Sequence, residues 1–197
     1  FLDGIEAYAY FPLAVARNVQ ARDADLQVEV LPQAGSIDRA GGLAFGLKNS
    51  GNYFAFRVNA LEDNAVLFEF VDNRRLERAK TELPVAAGRW TRLEVQVRGN
   101  RIVCLVDGRP VLEYDAAKQV GGYVGLWTRA DSVTQFRDLV MTTGGISRQL
   151  ILPADVAQDP SRRIASKPSK GPGWTPLSSR PGPPCGRGSA PWPCTTP

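Results

Sequence analysis

The chain has 197 residues and a formal net charge of +4, and because residues 1–152 hold 18 basic and 18 acidic side chains, the positive excess belongs to residues 153–197. A neutral body without a basic stripe argues against nucleic acid as a partner. The absence of histidine excludes His-dependent triads and His metal sites. The sequence also contains no run of about 18 apolar residues, so it predicts no membrane span.

Apolar and polar residues alternate with a period of two through the first 140 residues, and no stretch shows a sustained helical period with caps. Segment 3–16 predicts a strand near a sheet edge. Further strands are predicted at 26–31, 43–47, 53–59, 66–71, 91–97, 102–106, 111–114, 124–127 and 133–141. Nine or ten short strands at this spacing predict an all-β fold, a two-sheet antiparallel β-sandwich of the jelly-roll type.

Turn residues separate the predicted strands where that fold requires them. Asn49-Ser50-Gly51-Asn52, Asp72-Asn73 and Gly99-Asn100 each lie between two apolar runs. Asp107-Gly108 is the strongest hairpin signal, because both central residues of a type I′ turn need positive φ. The sequence therefore predicts a three-strand meander over 91–114.

Residues 153–197 differ in composition from the rest of the chain. They contain 11 of the 15 prolines and two of the three cysteines, and such a stretch cannot bury enough surface to offset the entropy of ordering it. We expect a sandwich domain over 1–152 and a disordered Pro/Gly/Arg-rich tail over 153–197. The tail composition fits either a genuine flexible segment or a frame-shifted reading of a GC-rich gene.

Two segments resemble the bacterial concanavalin A-like lectin/glucanase superfamily, and more narrowly its 3-keto-disaccharide hydrolase-like and laminin-G-like jelly-roll domains. The first is Asn59-Ala60-Leu61-Glu62-Asp63-Asn64 after the Asn52-Tyr53-Phe54 strand start, and the second is Gly125-Leu126-Trp127-Thr128-Arg129-Ala130-Asp131-Ser132. The resemblance implies an exported, extracytoplasmic domain that binds carbohydrate and in some members calcium. Members begin with a further strand, so the resemblance also implies an N-terminally truncated domain here.

Strand alternation assigns candidate ligand-binding residues to one surface. Arg57 and Asn59 point away from the core, and Glu69 does the same if the apolar residues of 66–71 point inward. Trp127 falls on the opposite side of its strand from its apolar neighbours. It is therefore expected to be exposed on the same surface as Arg57 and Asn59. An exposed indole next to polar groups suits a sugar ring. The alternative interpretation makes Trp127 a core aromatic and pairs Arg57 with Glu69 across strands.

The turn between the strands 53–59 and 66–71 carries Glu62, Asp63 and Asn64. Its oxygens suggest either calcium ligands, together with Asp131, or an acid/base pair with Glu69. The alternative is ordinary turn chemistry, since Asp and Asn cap their own backbone.

The loop that follows Trp127 carries Arg129 and Asp131. Arg129 is a further candidate contact for a ligand. Asp131 is either a ligand contact or an anchor that ties its loop to backbone amides.

These patterns favour a carbohydrate-binding module with Arg57, Asn59, Glu69, Trp127 and Arg129 as its contact surface. A hydrolase acting on a glycoside or keto-disaccharide is the first alternative, with Glu62, Asp63 and Glu69 as acid/base candidates. The E-x-D-x-x-E pattern of laminarinase-type glucanases is absent, and no carboxylate pair has i, i+2 spacing on a polar face. A scaffold or adhesion domain without a small ligand is the second alternative, and the oligomeric state stays open.

Overall fold

The structure is a computed structural model that describes residues 10–152, except for the side chain of Arg17. Every regular secondary-structure element in this range is a β-strand. The strands are β1 (Leu13–Arg22), β2 (Asp25–Ala34), β3 (Ala40–Asn49), β4 (Asn52–Asn59), β5 (Asn64–Val71), β6 (Arg74–Glu82), β7 (Thr91–Arg98), β8 (Arg101–Val106), β9 (Arg109–Asp115), β10 (Gly121–Thr128), β11 (Val133–Thr143) and β12 (Ile146–Gln149).

These strands form two six-stranded antiparallel sheets. Sheet A has the order β1-β10-β3-β4-β5-β6, and sheet B has the order β12-β11-β2-β7-β8-β9. The main core lies between them, and its largest fully buried members include Phe45, Phe56, Leu26, Leu93 and Ile102. The predicted two-sheet jelly-roll sandwich is confirmed.

The predicted hairpins form where the turn residues place them. Asp107 and Gly108 have φ values of 49° and 78° between β8 and β9. Asp72 and Asn73, at 48° and 64°, do the same between β5 and β6. Positive φ at both central residues is the requirement of a type I′ turn, whose twist matches that of the flanking strands.

Three strands differ from the prediction. β6 was not predicted, because its sequence RRLERAKTE lacks apolar alternation and it lies at the edge of sheet A. β12 is short, with all four residues exposed, and gives no apolar signal. β1 begins at Leu13 and continues to Arg22, beyond the predicted end at residue 16, while residues 3–9 lie outside the described range.

Strand β5 is apolar on both of its faces, and this changes its predicted orientation. The register pairs Phe54 with Glu69 and Tyr53 with Phe70. Phe54, Phe56 and Val58 therefore meet the core between the sheets together with residues 65 and 67. Val66, Phe68 and Phe70 point to the outer face of sheet A, so the condition on which the outward orientation of Glu69 depended is not met.

The described residues contain no helix of the length and apolarity needed to cross a membrane. Cys104 is fully buried in sheet B, where it packs into the main core as a small hydrophobe. The predictions about residues 153–197 fall outside the described range, and the N-terminal truncation stays a prediction.

Candidate functional site

The outer face of sheet A carries a group of six polar side chains, of which four are buried and two, Glu62 and Arg129, are 44% and 16% exposed. We call it the polar cluster; its members are Asp38, Arg57, Asn59, Glu62, Asn64 and Arg129. Backbone register brings three of them together, because Asn59 pairs with Asn64 and with Ala40, which follows the Asp38 loop. The relative exposure of Arg57 is 3%, and that of Asn59 is 0%.

Arg57 is the centre of one half of the polar cluster. Its Nη2 donates to Glu62 Oε2 at 2.8 Å, and its Nη1 donates to Asn64 Oδ1. Asn64 Nδ2 donates to the same Glu62 oxygen at 3.2 Å. These mutual bonds fix the Arg57 guanidinium in one orientation.

Asp38 is the centre of the other half. Asn59 Nδ2 donates to Asp38 Oδ1 at 2.8 Å, and Arg129 Nη1 donates to Asp38 Oδ2 at 2.8 Å. Arg129 Nη1 also lies 4.0 Å from Glu62 Oε1, which joins the two halves. A buried carboxylate whose two oxygens both accept hydrogen bonds is satisfied without water.

Burial and neighbouring charges act in opposite directions on this cluster. Burial raises the pKa of Asp38, and Arg129 and Arg57 oppose that rise. Burial also acts to raise the pKa of Glu62, but the hydrogen bond and charge of Arg57 outweigh it and hold that pKa below its usual value. Burial lowers the pKa of Arg57, whose Nε is buried without a hydrogen-bond partner. Such a group is costly to bury unless it is paired.

A shallow cleft of about 500 Å³ opens over the polar cluster. Its walls combine cluster members with side chains of β5 and β6; they are Arg57, Glu62, Asn64, Arg129, Phe68, Arg75, Glu77, Lys80 and Glu82. The Arg75 guanidinium lies over the Phe68 ring at 4.7 Å and over the Phe11 ring at 5.1 Å. The cleft therefore presents charged groups to solvent, and the Arg75 guanidinium covers the aromatic rings beneath it.

Trp127 lies on the same face as Arg57, but it is fully buried. Phe11 stacks on the indole at 5.8 Å between ring centroids, and Phe68 contacts it at 6.3 Å. The prediction of an exposed Trp127 platform is wrong. The alternative of a buried aromatic holds, although the indole belongs to an outer-face cluster and not to the layer between the sheets.

Two backbone features explain the burial of Trp127. Thr128 N donates to Pro12 O at 3.1 Å and Ala130 N donates to Tyr10 O at 2.9 Å, which keeps Phe11 over the indole. Gly42 lies opposite both Trp127 and Arg57 in the register. A Cβ at Gly42 would meet Phe56 O at 2.2 Å, so glycine is the residue that fits between them.

The structure separates Glu69 from the other predicted ligand contacts. It lies opposite Phe54 on the inner side of sheet A, where its Oε2 accepts a bond from Arg78 Nε at 2.8 Å. The predicted pairing of Arg57 with Glu69 is therefore wrong, because Arg57 is bonded to Glu62 on the other face. Of the predicted contacts, Arg57, Asn59 and Arg129 do come together.

The three acid/base candidates do not converge. Glu62 lines the cleft, while Asp63 Oδ1 accepts a hydrogen bond from Val85 N at 3.0 Å, as turn chemistry predicts. Glu69 points to the opposite side of its sheet. Glu62, Asp63 and Glu69 therefore do not form the carboxylate pair that glycoside hydrolysis requires.

The calcium candidates Asp63, Asn64 and Asp131 also have separate partners. Asp131 accepts bonds from Ser36 N at 2.7 Å, Ser36 Oγ at 2.8 Å and Asp38 N at 3.0 Å. It thus anchors the loop that presents Asp38, which confirms the anchoring interpretation. Donated hydrogen bonds hold the Asp131 pKa well below its usual value. Within residues 10–152, no group of three or more acidic, Cys or His side chains is placed to hold a metal ion.

Sequence reasoning missed Asp38, Phe68 and Arg75 as parts of this site. Asp38 lies in a loop without a motif, and only the register places it beside Asn59. Arg75 lies in β6, which was not predicted. The two apolar faces of β5 were a signal that Phe68 and its neighbours cover a second surface.

Comparison with known proteins shows similarity in structure but not in sequence. The carbohydrate-binding module CBM66 from Bacillus subtilis superposes with a TM-score of 0.62 at 18% identity, covering 68% of this chain and 82% of that one. Congerin II solved with lactose and MES superposes with a TM-score of 0.54 at 11% identity, covering 66% and 100%. No protein-family model and no curated protein sequence matches the chain. At these identities the likeness establishes the fold alone.

Proposed function

We propose that this chain, a concanavalin A-like jelly-roll sandwich, is a carbohydrate-binding module whose ligand lies in the cleft on the outer face of sheet A. The observation that carries the proposal is the polar cluster, a set of buried charges that opens onto a cleft. Buried ion pairs are weak contributors to stability, because desolvation offsets much of their attraction. Their presence on an outer sheet face is better explained by recognition of a polar ligand.

The chemistry of the cleft suits a saccharide. Sugar hydroxyls need both donors and acceptors, which the guanidinium groups and Glu62 supply. The volume falls in the range of small-ligand sites. Because the bonds within the polar cluster already fix its side chains, a ligand orders few of them on binding, which favours affinity.

The structural likenesses support the same proposal. One neighbour is named a carbohydrate-binding module, and the other was solved with lactose. The family resemblance in the sequence implies an exported domain, so we extend the proposal to an extracytoplasmic protein. The narrower likeness to keto-disaccharide hydrolases stays a prediction, since the geometry of Glu62, Asp63 and Glu69 gives it no support.

The test is a glycan array followed by calorimetric titration of the best ligand. Glu62→Gln keeps the shape of the side chain but removes its charge, and we expect an affinity loss of at least about tenfold. Glu113→Gln is the matched control, because Glu113 also pairs with an arginine, Arg101, but on sheet B. The control should bind like the wild type. A wild type that binds no glycan, or equal losses in both variants, would contradict the proposal.

A further inference from the structure

Arg75 differs from the other cations of the cleft in how its charge is balanced. Arg57 pairs with Glu62, Arg129 pairs with Asp38, and Lys80 lies 3.6 Å from Glu82. Across the described residues, no carboxylate lies within ion-pair distance of Arg75. Its guanidinium is instead held over the rings of Phe11 and Phe68, an arrangement that fixes the plane of the group and leaves its N–H groups available.

The charges around Arg75 are dominated by other arginines. Burial lowers the Arg75 pKa most, and Arg129 and Arg57 lower it further, ahead of the opposing effects of Asp38 and Glu62. Three guanidinium groups thus share one cleft, and the two nearby carboxylates are already bonded within the polar cluster. A bound anion would relieve this repulsion.

Building on the proposed function, we propose that the cleft is selective for acidic saccharides, with Arg75 binding the carboxylate of a uronic-acid unit. A planar guanidinium presents a pair of parallel donors that match a carboxylate, and such charge-assisted pairs are about twice as strong as neutral hydrogen bonds. Glu77 and Glu82 also line the cleft, and Glu82 pairs with Lys80.

The experiment compares a galacturonate oligosaccharide with its methyl ester, which has the same ring and linkage but no charge. Titration calorimetry at 50 mM and 300 mM salt measures both ligands on the full chain. We expect the acid to bind at least about tenfold more tightly than the ester at low salt, with the difference shrinking as salt screens it. A glucuronate oligosaccharide and its ester repeat the comparison with a different sugar.

Arg75→Gln should abolish the preference for the acid, and Arg75→Lys should retain part of it. Arg137→Gln is the matched control, because Arg137 also lies over an aromatic ring, Trp90, at 4.1 Å, but on sheet B. Arg75 is exposed on an edge strand, so thermal unfolding should show that its variants fold. Equal binding of acid and ester by the wild type would overturn the acidic selectivity and leave carbohydrate binding standing. Failure to bind any glycan on the array would overturn both.

Discussion

Charged side chains are exposed to solvent on one outer face of this sandwich and buried on the other. On sheet B the charged side chains form solvated ion pairs, such as Arg101 with Glu113, whose side chains are 53% and 56% exposed. On sheet A, the side chain of Arg57 is 4% exposed and lies beside a cluster of buried aromatic side chains. Solvated pairs contribute under about 1 kcal/mol each, whereas buried charges are costly unless every partner is present.

This difference locates function on the molecule. On the outer face of sheet B, the solvated ion pairs keep the surface hydrated, and this is enough to explain them. The outer face of sheet A keeps charges in a place where apolar side chains would cost less. Such a departure from the cheapest packing is typical of a binding surface.

The largest expected effect on stability comes from the buried aromatic side chains on the outer face of sheet A. Trp127→Ala should reduce the free energy of unfolding by about 3–5 kcal/mol, since it leaves a cavity beneath Phe11. Trp90→Ala, just before β7 of sheet B, where the indole is half-buried, should cost about 1 kcal/mol. Urea denaturation of both variants measures the contrast. Equal losses would mean that Trp127 is not buried as described.

The next effect on stability is smaller and concerns the polar cluster. Arg57→Met should cost about 3 kcal/mol, because it leaves buried acceptors unpaired. Removing one partner of a buried ion pair costs about 3–5 kcal/mol. We expect the lower end of that range, because Glu62 is 44% exposed and water can reach it. Arg101→Met, the matched change on sheet B, should cost under about 1 kcal/mol. If chemical denaturation shows Arg57→Met to be neutral, the polar cluster is solvated and the contrast between the faces fails.

The loop that carries Asp38 gives an effect that depends on pH. The folded-state pKa of Asp131 lies below its unfolded value, so its contribution is complete above that unfolded value, about pH 4, and is lost as pH falls through the folded pKa. Asp131→Asn should cost about 1–2 kcal/mol at pH 7 and progressively less in acid. Thermal unfolding from pH 7 to pH 2 measures this, with Asp115→Asn on sheet B as the control. Parallel curves for wild type and Asp131→Asn would refute the anchoring role.

Much of the fold was predictable because its signals are local. The Asp107-Gly108 turn and the alternation of Leu93, Val95 and Val97 each specify a hairpin or a buried face from a few adjacent residues. β6 could not be found in this way, since an edge strand with charged residues on both faces buries too little to leave an apolar period.

The site was harder to predict because it depends on contacts between distant parts of the chain. Arg57, Asn59 and Arg129 were identified from strand parity and loop position. The orientation of Glu69 was wrong because β5 is apolar on both faces, and parity alone cannot then say which face is inside. The burial of Trp127 depends on Phe11, which lies 116 residues earlier and gives no sign of that contact in the sequence.

The most direct test of the account follows the side-chain Nε–Hε signals of the arginines by NMR during titration with an oligosaccharide that the glycan array identifies. The account predicts that the signals of Arg57, Arg75 and Arg129 shift and saturate together, while those of Arg98, Arg101 and Arg137 on sheet B stay in place. Shifts confined to the sheet B arginines, or none at saturating ligand, would contradict it.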